Sequence, residues 1–154
     1  TAKLFHHYMP EKKLFLFDTF EGFSDRSVQA ESKFTGHPIR AEHFSDTSIE
    51  KVRAHIEPLN DNVSFHKGYF PDSIPAEAQD MKFAFVHLDP DLYEPILAGL
   101  NFFYPRMSKH GMIVVHDYNA WPGARKAVDD FFADKKELPV PMPDQSGSVL
   151  IVVS

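Results

Sequence analysis

The chain has 154 residues, of which 43% are hydrophobic and 25% charged, a composition typical of a soluble globular protein and not of a disordered or fibrous one. A net charge of −6 with neutral histidines argues against binding to nucleic acid or to an anionic membrane, and no apolar run reaches the roughly 18 residues of a membrane helix. The absence of cysteine excludes disulfides, thiolate nucleophiles and cysteine-type metal sites. These properties predict one domain over residues 1–154 and are compatible with a cytoplasmic location.

The chain opens on a helical pattern followed by a buried strand. Apolar residues at helical spacing predict a helix over residues 2–9. Residues 13–17 form a nearly continuous apolar run that Asp18 closes, which is typical of a strand buried on both faces. The polar, mixed segment 19–45 predicts a long loop containing a short helix, and loops of this length are usually lids or binding segments.

A helix and two further strands are predicted in the middle of the chain. The helix covers residues 46–57, with its first two residues, an aspartate and a threonine, as candidate N-caps. Strands are predicted over residues 62–66 and 82–88, and a short helix at 75–79 lies between them.

The last third continues the alternation of helix and strand. Helices are predicted over residues 92–107 and 122–136, with a buried strand at 112–116 between them. Residues 138–142 contain two prolines and predict an edge strand, which forms a hairpin with a final, antiparallel strand at 148–153. The whole pattern predicts an α/β fold with a mostly parallel sheet and helices on both faces.

Polar residues close four of the predicted strands, and parallel strands bring their carboxyl ends to one edge of a sheet. Asp89 and Asp117 close consecutive strands, which can lie about 4.8 Å apart, so their carboxylates can share a hard cation such as Mg²⁺ or Ca²⁺. His116 and Asp91 are candidates for further ligands or for hydrogen-bond partners of the ligands. The alternative is that both aspartates only cap the helices that follow them.

The first two strands end in residues suited to a nucleoside. Asp18 can accept hydrogen bonds from both hydroxyls of a ribose, and Gly68 lets a ligand approach the backbone closely. Phe70, Asp72 and Ser73 can then hold a flat base between an aromatic ring and polar groups. The alternative is a cap at Asp18 and a simple turn at Gly68.

Several motifs together resemble the macrocin O-methyltransferase family. They are Phe-Asp-Thr-Phe-Glu-Gly at residues 17–22, His-Lys-Gly-Tyr-Phe-Pro-Asp-Ser at 66–73, Leu-Asp-Pro-Asp-Leu-Tyr at 88–93 and Val-Val-His-Asp-Tyr at 114–118. The resemblance implies a class I, S-adenosylmethionine-dependent enzyme that methylates sugar hydroxyls of natural products, with a Rossmann-like sheet.

The resemblance also implies roles for individual residues. Asp18 is implied to bind the ribose, with Thr19 beside it in the same motif, and a divalent metal, usually Mg²⁺, is implied at Asp89 and Asp117. The family usually has two acids before the tyrosine that matches Tyr118, whereas this chain has His116 as the first, so the metal's identity stays open.

The front of the chain departs from the family pattern. We expect the chain to lack the first strand and the glycine-rich turn that hold the methionine part of the cofactor, a strand that normally occupies the middle of the sheet. The domain is therefore expected to be incomplete at its N-terminus and to bind S-adenosylmethionine weakly or not at all. It is also expected to have exposed strand edges that pair with each other or with a second copy as a homo-oligomer.

The sequence thus predicts an S-adenosylmethionine-dependent, metal-assisted O-methyltransferase for a hydroxylated small molecule, a sugar or a glycosylated natural product. The predicted catalytic and metal-binding residues are Asp89, His116 and Asp117, and the predicted cofactor-binding residues are Asp18, Thr19, Gly68, Phe70, Asp72 and Ser73. Two alternatives stay open, which are an inactive relative that serves in binding or assembly, and a metal-assisted hydrolase.

Overall fold

A computed structural model describes residues 1–36 and 39–154, while His37 and Pro38 of the predicted long loop lie outside the described residues. The strands form two sheets, β1-β2 and β3-β4-β6-β5, in place of the single sheet that the strand pattern predicts. The chain divides into two compact units, the first with Thr1–Ser24 and Arg40–Ala76 and the second with Asp25–Ile39 and Glu77–Ser154.

The first unit is a two-stranded parallel sheet with two helices. Its elements are α1 (Ala2–Tyr8), β1 (Leu14–Asp18), α3 (Ile49–Ile56) and β2 (Val63–Lys67). The strands pair in register from Leu14 with Val63 to Asp18 with Lys67, so both strands end at the same level. All four predicted elements are present, with bounds that differ from the predicted ones by a few residues.

The helix α3 begins later than predicted, and its cap is neither of the two candidate residues. The hydroxyl of Ser48 accepts a hydrogen bond from the backbone N–H of Lys51 at 3.2 Å, so Ser48 is the N-cap. Asp46, Thr47 and Ser48 are all residue types that cap helices, and the backbone path of the turn decides which of them does so.

The second unit carries the larger, mixed sheet. Its elements are α2 (Asp25–Glu31), β3 (Phe83–Leu88), α4 (Tyr93–Phe103), β4 (Met107–Val115), α5 (Pro122–Phe132), β5 (Val140–Pro141) and β6 (Val149–Val152). β3 and β4 are parallel, while β6 runs antiparallel to both β4 and β5. The C-terminal hairpin, its antiparallel last strand and the proline-containing edge strand are therefore confirmed.

The core of the second unit lies between one face of this sheet and two helices. The inward residues of β4 and β6 are fully or nearly fully buried, as are the apolar faces of α4 and α5, which pack against each other: Ile113, Val115, Val149, Ile151, Ile96, Leu100, Ala127 and Val128. Each large aliphatic side chain buried in this way contributes roughly 1.5–3 kcal/mol. This packing fixes the ends of β3 and β4 against the starts of α4 and α5.

The helix predicted over residues 92–107 is shorter in the structure. α4 ends at Phe103, a 3₁₀ turn covers Tyr104–Arg106, and β4 begins at once at Met107. Pro105 explains the difference, because proline lacks the N–H that would continue the α-helical hydrogen bonds. In the part of the chain that the structure describes, no helix has the length and apolar character needed to cross a membrane.

Candidate functional site

The ends of β3 and β4 bring three of the predicted site residues together. Leu88 pairs with Val115, and the N–H of His116 donates to the carbonyl of Leu88 at 2.8 Å, so Asp89 lies beside His116 and Asp117. The Nδ1 atom of His116 is 2.9 Å from Oδ1 of Asp89 and 2.9 Å from Oδ2 of Asp117. One ligand atom from each residue lies within 4.8 Å of the others, which is a spacing that one metal ion can span.

The donor set fits a divalent cation. Nδ1 of His116 is buried and has no hydrogen bond of acceptable geometry within the described residues, although two carboxylate oxygens lie 2.9 Å away. Two carboxylates and an imidazole provide the oxygen and nitrogen ligands that divalent metals take in proteins. An ion among these three side chains would give the buried nitrogen a partner, and the metal role of the three residues stays a prediction.

The charges in this cluster shift one another's pKa values. Burial raises the pKa of Asp89, and the neighbouring His116 opposes that shift. Burial alone would lower the pKa of His116, but its close contact with Asp117 and the charges of both aspartates outweigh burial and raise it. Burial would raise the pKa of Asp117, but hydrogen bonds from Asp91 and Ser146 and the close approach of His116 prevail and lower it. Asp117 is therefore the stronger acid of the two aspartates that flank His116.

Asp91 is a buried acid that holds a proton near neutral pH. It is only 9% exposed, and burial, followed by its hydrogen bond to Asp117 and the charge of Asp89, raises its pKa to about 8. Of its two expected roles, a further ligand or a hydrogen-bond partner of a ligand, the geometry favours the second, because the group of three ligand atoms does not include Asp91. The protonated carboxyl of Asp91 donates a hydrogen bond to Asp117 instead.

The backbone at both of these aspartates is left-handed. φ is +60° at Asp91 and +56° at Asp117, a region that costs most residues about 1 kcal/mol or more and that aspartate tolerates better than bulky residues. Strained residues of this kind are over-represented at functional sites. The two turns therefore hold their acids in place at a cost in local backbone energy.

Two residues near this cluster were not predicted from the sequence. The hydroxyl of Ser146, in the turn before β6, donates to Asp117. Glu31, at the end of α2, is fully buried and accepts hydrogen bonds from the N–H groups of Tyr93 and Gly123, both at 2.9 Å. Neither residue has a local signal, because a serine in a turn and a glutamate in a polar segment are ordinarily solvated.

The ends of β1 and β2 bring the predicted nucleoside-binding residues into two turns of the first unit. The N–H of Gly68 donates to the carbonyl of Asp18 at 3.0 Å, so these two residues adjoin. Oδ1 of Asp18 accepts from the N–H of Phe20 at 2.7 Å, and the residue is exposed. The hydroxyl of Thr19 donates to the carbonyl of Gly22 at 2.7 Å, which stabilises the turn.

The turn after β2 contains an unpaired hydroxyl. Gly68 has a φ of +140°, and a Cβ added there would lie 3.3 Å from Cβ of Ser73. Oγ of Ser73 is buried and has no hydrogen-bond partner in the described part of the chain. The ring of Phe70 packs edge-on against Phe17, while Asp72 is exposed. An orphaned hydroxyl beside a glycine fits a polar ligand, and the cofactor role of these residues stays a prediction.

Comparison with known proteins identifies the family of the chain. It belongs to the macrocin-O-methyltransferase (TylF) family, whose model matches residues 1–148. It is 32% identical over 136 residues to 8-demethyl-8-(2,3-dimethoxy-alpha-L-rhamnosyl)-tetracenomycin-C 4'-O-methyltransferase of Streptomyces olivaceus, covering 84% of this chain and 51% of that protein. It is 30% identical over 134 residues to demethyldecarbamoylnovobiocin O-methyltransferase of Streptomyces niveus, covering 82% and 50%. The chain thus spans about half the length of the curated relatives it matches.

Solved structures show the same fold. The O-methyltransferase NovP matches with a TM-score of 0.79 and 26% identity, over 98% of this chain and 64% of that one. The calicheamicin methyltransferase CalS11 matches with a TM-score of 0.74 and 20% identity, over 98% and 65%. These likenesses confirm the predicted Rossmann-like α/β fold of a methyltransferase.

Proposed function

We propose that the protein containing this chain is an S-adenosylmethionine-dependent O-methyltransferase that acts, with a divalent cation, on a hydroxyl of a small molecule. Membership of the family supports methyl transfer. The observation that carries the metal-assisted form of the proposal is the convergence of Asp89, His116 and Asp117 at the ends of two adjacent parallel strands. We also propose that both units belong to one methyltransferase domain, residues 1–154.

The turns after β1 and β2 are assigned to the nucleoside part of the cofactor. The exposed carboxylate of Asp18 has a second oxygen available to ribose hydroxyls while its first oxygen holds the turn through Phe20. Gly68 and the unpaired hydroxyl of Ser73 supply a close backbone approach and a hydrogen bond to the base. Thr19 stabilises the turn at Asp18 through its hydrogen bond to the carbonyl of Gly22. Phe70 and Asp72 are the remaining proposed cofactor-binding residues.

The reaction needs a nucleophilic oxygen and a place for its proton. The acceptor oxygen forms a bond to the methyl carbon while the carbon–sulfur bond breaks, and the electron pair of that bond goes to sulfur. The hydroxyl proton passes to a carboxylate oxygen of Asp89, because burial raises the pKa of Asp89 and makes this carboxylate a better base than that of Asp117, whose pKa is lowered. A divalent cation bound by Asp89, His116 and Asp117 would make the hydroxyl more acidic and orient neighbouring oxygens.

A sugar or glycosylated natural product is the proposed acceptor. The name of the Streptomyces olivaceus relative specifies a rhamnosyl-bearing acceptor that is methylated at its 4′ oxygen. Neighbouring hydroxyls on a sugar ring also provide the paired oxygens that a cation held by two carboxylates can orient. Nucleic acid and membranes are not proposed as partners, and a homo-oligomer stays a proposal.

A methyl-transfer assay tests the proposed function. The protein is incubated with S-adenosylmethionine and a panel of glycosylated natural products, with Mg²⁺, with Mn²⁺ or with excess chelator, and products are identified by mass spectrometry. We expect a mass gain of one methylene that requires the metal and is lost with chelator. Metal-dependent hydrolysis without methyl transfer would support the hydrolase instead. If the protein shows neither methyl transfer nor hydrolysis, the result would support an inactive binding domain.

Replacing His116 by the acid that the family usually has tests the identity of the cation. His116→Asp exchanges an imidazole nitrogen for a carboxylate oxygen, which suits Mg²⁺ better than Ni²⁺ or Zn²⁺. We expect the affinity for Mg²⁺ relative to Ni²⁺ to rise roughly tenfold, or about 1.4 kcal/mol, by isothermal titration calorimetry. An unchanged ratio would mean that His116 does not contact the ion.

A further inference from the structure

Glu31 is a buried carboxylate without solvent exposure, at the C-terminal end of α2. Its Oε2 accepts a hydrogen bond from the N–H of Tyr93 and its Oε1 accepts one from the N–H of Gly123, each at 2.9 Å. The two partners are 62 and 92 residues away along the chain. One side chain therefore joins two segments that are distant from it in sequence.

Both amides belong to the first turn of a helix. Tyr93 is the first residue of α4, and Gly123 is the second residue of α5. The first N–H groups of a helix have no partner within it, and the helix dipole adds positive potential there. Glu31 satisfies one such group on each helix, and these two hydrogen bonds offset the cost of burying its polar oxygens.

These helices begin just after the turns that carry the acid cluster. Asp91 precedes Tyr93 by two residues, and its pKa is raised in part by the charge of Glu31, so the two carboxyls are near each other. The other turn leads from Asp117 into α5, with the N–H of Trp121 bonded to the carbonyl of Asp117 at 3.0 Å. Glu31 thus holds the far end of each acid-bearing turn.

The fit between Glu31 and Gly123 is close. A Cβ atom added to Gly123 would overlap both carboxylate oxygens of Glu31. Any larger residue at position 123 would therefore push the carboxylate away from the starts of the helices, while Glu31 itself stays unchanged in the sequence. This provides a second, independent way to disturb the same contact.

We propose that Glu31 is a positioning residue for the cation site, because it ties the turn after β3 to the turn after β4 and so sets the spacing of Asp89 and Asp117. The inference deepens the proposed function and rests on it. Glu31 does not touch the ion or the reacting atoms, and its effect passes through Tyr93 and Gly123. Residues that hydrogen-bond directly to metal ligands typically change metal affinity 10- to 100-fold when they are replaced. Glu31 acts one contact further from the ligands, so we expect its effect to lie at the lower end of that range.

Mn²⁺ binding to the purified protein, followed by the electron paramagnetic resonance signal of the free ion, tests the proposal. Glu31→Gln keeps the shape but puts an amide NH₂ against a backbone N–H, and Gly123→Ala displaces the carboxylate. We expect each variant to bind Mn²⁺ at least about tenfold more weakly, and the double variant to lose little more than either single one. Wild-type affinity in both single variants would overturn the proposal.

A matched carboxylate and a conservative replacement separate positioning from general stability. Glu137 also accepts hydrogen bonds from two residues, Tyr104 and Ser154, but neither of them belongs to the turns that carry the acid cluster. Glu137→Gln should therefore lower stability and leave Mn²⁺ affinity unchanged. Glu31→Asp keeps the carboxylate but shortens the side chain, so that it cannot reach both amides. If it binds Mn²⁺ as tightly as wild type, charge alone suffices and bridging by Glu31 is refuted.

A measurement without metal keeps this inference distinct from the proposed function. In ¹H–¹⁵N spectra of the metal-free protein, Glu31→Asp and Gly123→Ala should shift the amides of both turns, 89–93 and 117–123, whereas Glu137→Gln should shift neither. Shifts confined to one turn would overturn the bridging role. If the wild type binds no Mn²⁺, the metal part of the proposed function fails, and these spectra still decide the role of Glu31, including when Glu31→Gln does not fold.

Discussion

The turns after β3 and β4 hold their polar side chains against one another, whereas the turns after β1 and β2 leave theirs open. The side chain of Asp117 is 15% exposed and has His116, Asp91 and Ser146 as partners. The side chain of Asp18, which ends β1 in the first unit, is exposed and accepts a hydrogen bond from the backbone N–H of Phe20, and the buried hydroxyl of Ser73 has no partner among the described residues. The contrast is between acids that are held by partners within the protein and polar groups that are open to a ligand.

This difference indicates what each set of residues is built to bind. A cation needs closely spaced charged ligands, and such ligands repel one another unless hydrogen bonds, shared protons and strained turns keep them together. A nucleoside brings its own donors and acceptors, so its binding residues need only be held by the backbone. Variants at Asp117, Asp18, Ser73 and Glu137 test this contrast.

The largest effect is expected for Asp117, whose carboxylate has partners within the protein. Asp117→Asn keeps a residue that tolerates the left-handed backbone, so the fold should persist, but it removes a charged ligand. We expect Mn²⁺ affinity to fall on the order of 100-fold or more. The control is Asp129→Asn, an acid of α5 that accepts from Tyr118 at 2.7 Å. Equal Mn²⁺ affinities in the variant and the control would rule out Asp117 as a ligand.

Replacement of the exposed Asp18 should weaken the binding of a different ligand, the nucleoside part of the cofactor. Asp18→Asn keeps an oxygen for the N–H of Phe20 but removes the charge and the second acceptor. We expect affinity for S-adenosylhomocysteine to fall about 10- to 100-fold, corresponding to 1.5–3 kcal/mol for hydrogen bonds to a charged group, with Mn²⁺ affinity unchanged. Calorimetry with both ligands measures this, and Asp61→Asn, an exposed acid of the same unit, is the control. A loss of Mn²⁺ binding would contradict the separation of the two tasks.

The unpaired hydroxyl should give effects of opposite sign. Ser73→Ala removes a buried polar atom that has no partner, so the free energy of unfolding without ligand should stay constant or rise by up to about 1 kcal/mol. Affinity for S-adenosylhomocysteine should nevertheless fall severalfold. Urea unfolding and calorimetry measure the two quantities. A loss of stability in the ligand-free protein would show that Ser73 is already satisfied.

The smallest effect is expected at a carboxylate that serves only the fold. The pKa of Glu137 is lowered to about 2, first by its hydrogen bond to Ser154 and then by that to Tyr104. Its stabilisation is therefore complete above the ordinary pKa of 4.5 and is lost as the pH falls toward 2. The free energy of unfolding of Glu137→Gln should lie below that of wild type by less than about 1 kcal/mol at pH 7, and the curves should converge at low pH. A constant difference from pH 7 to pH 2 would contradict this assignment.

Most elements follow from local pattern, and most site contacts do not. The apolar runs and the prolines are visible in the sequence, and they predict the strands and most helix ends. The end of α4 is mispredicted because Leu97, Leu100 and Phe103 keep a helical period up to Pro105, where the helix stops. The pairing of Met107 with Phe83, which begins β4 directly after the 3₁₀ turn, has no local signal in the sequence. The division into two sheets depends on which strands find partners, which the period of a segment does not encode.

The apolar runs before Asp18, Asp89 and Asp117 make these strands and their acidic ends predictable, because an apolar run that ends in a charge is a local property of a few consecutive residues. The proton held by Asp91, the position of Nδ1 of His116 between two carboxylates, and the link from Glu31 to the starts of α4 and α5 depend on the tertiary structure. These features arise from desolvation and from contacts across as many as 92 residues. Such energies depend on what surrounds a group in space, and its neighbours along the chain do not reveal it.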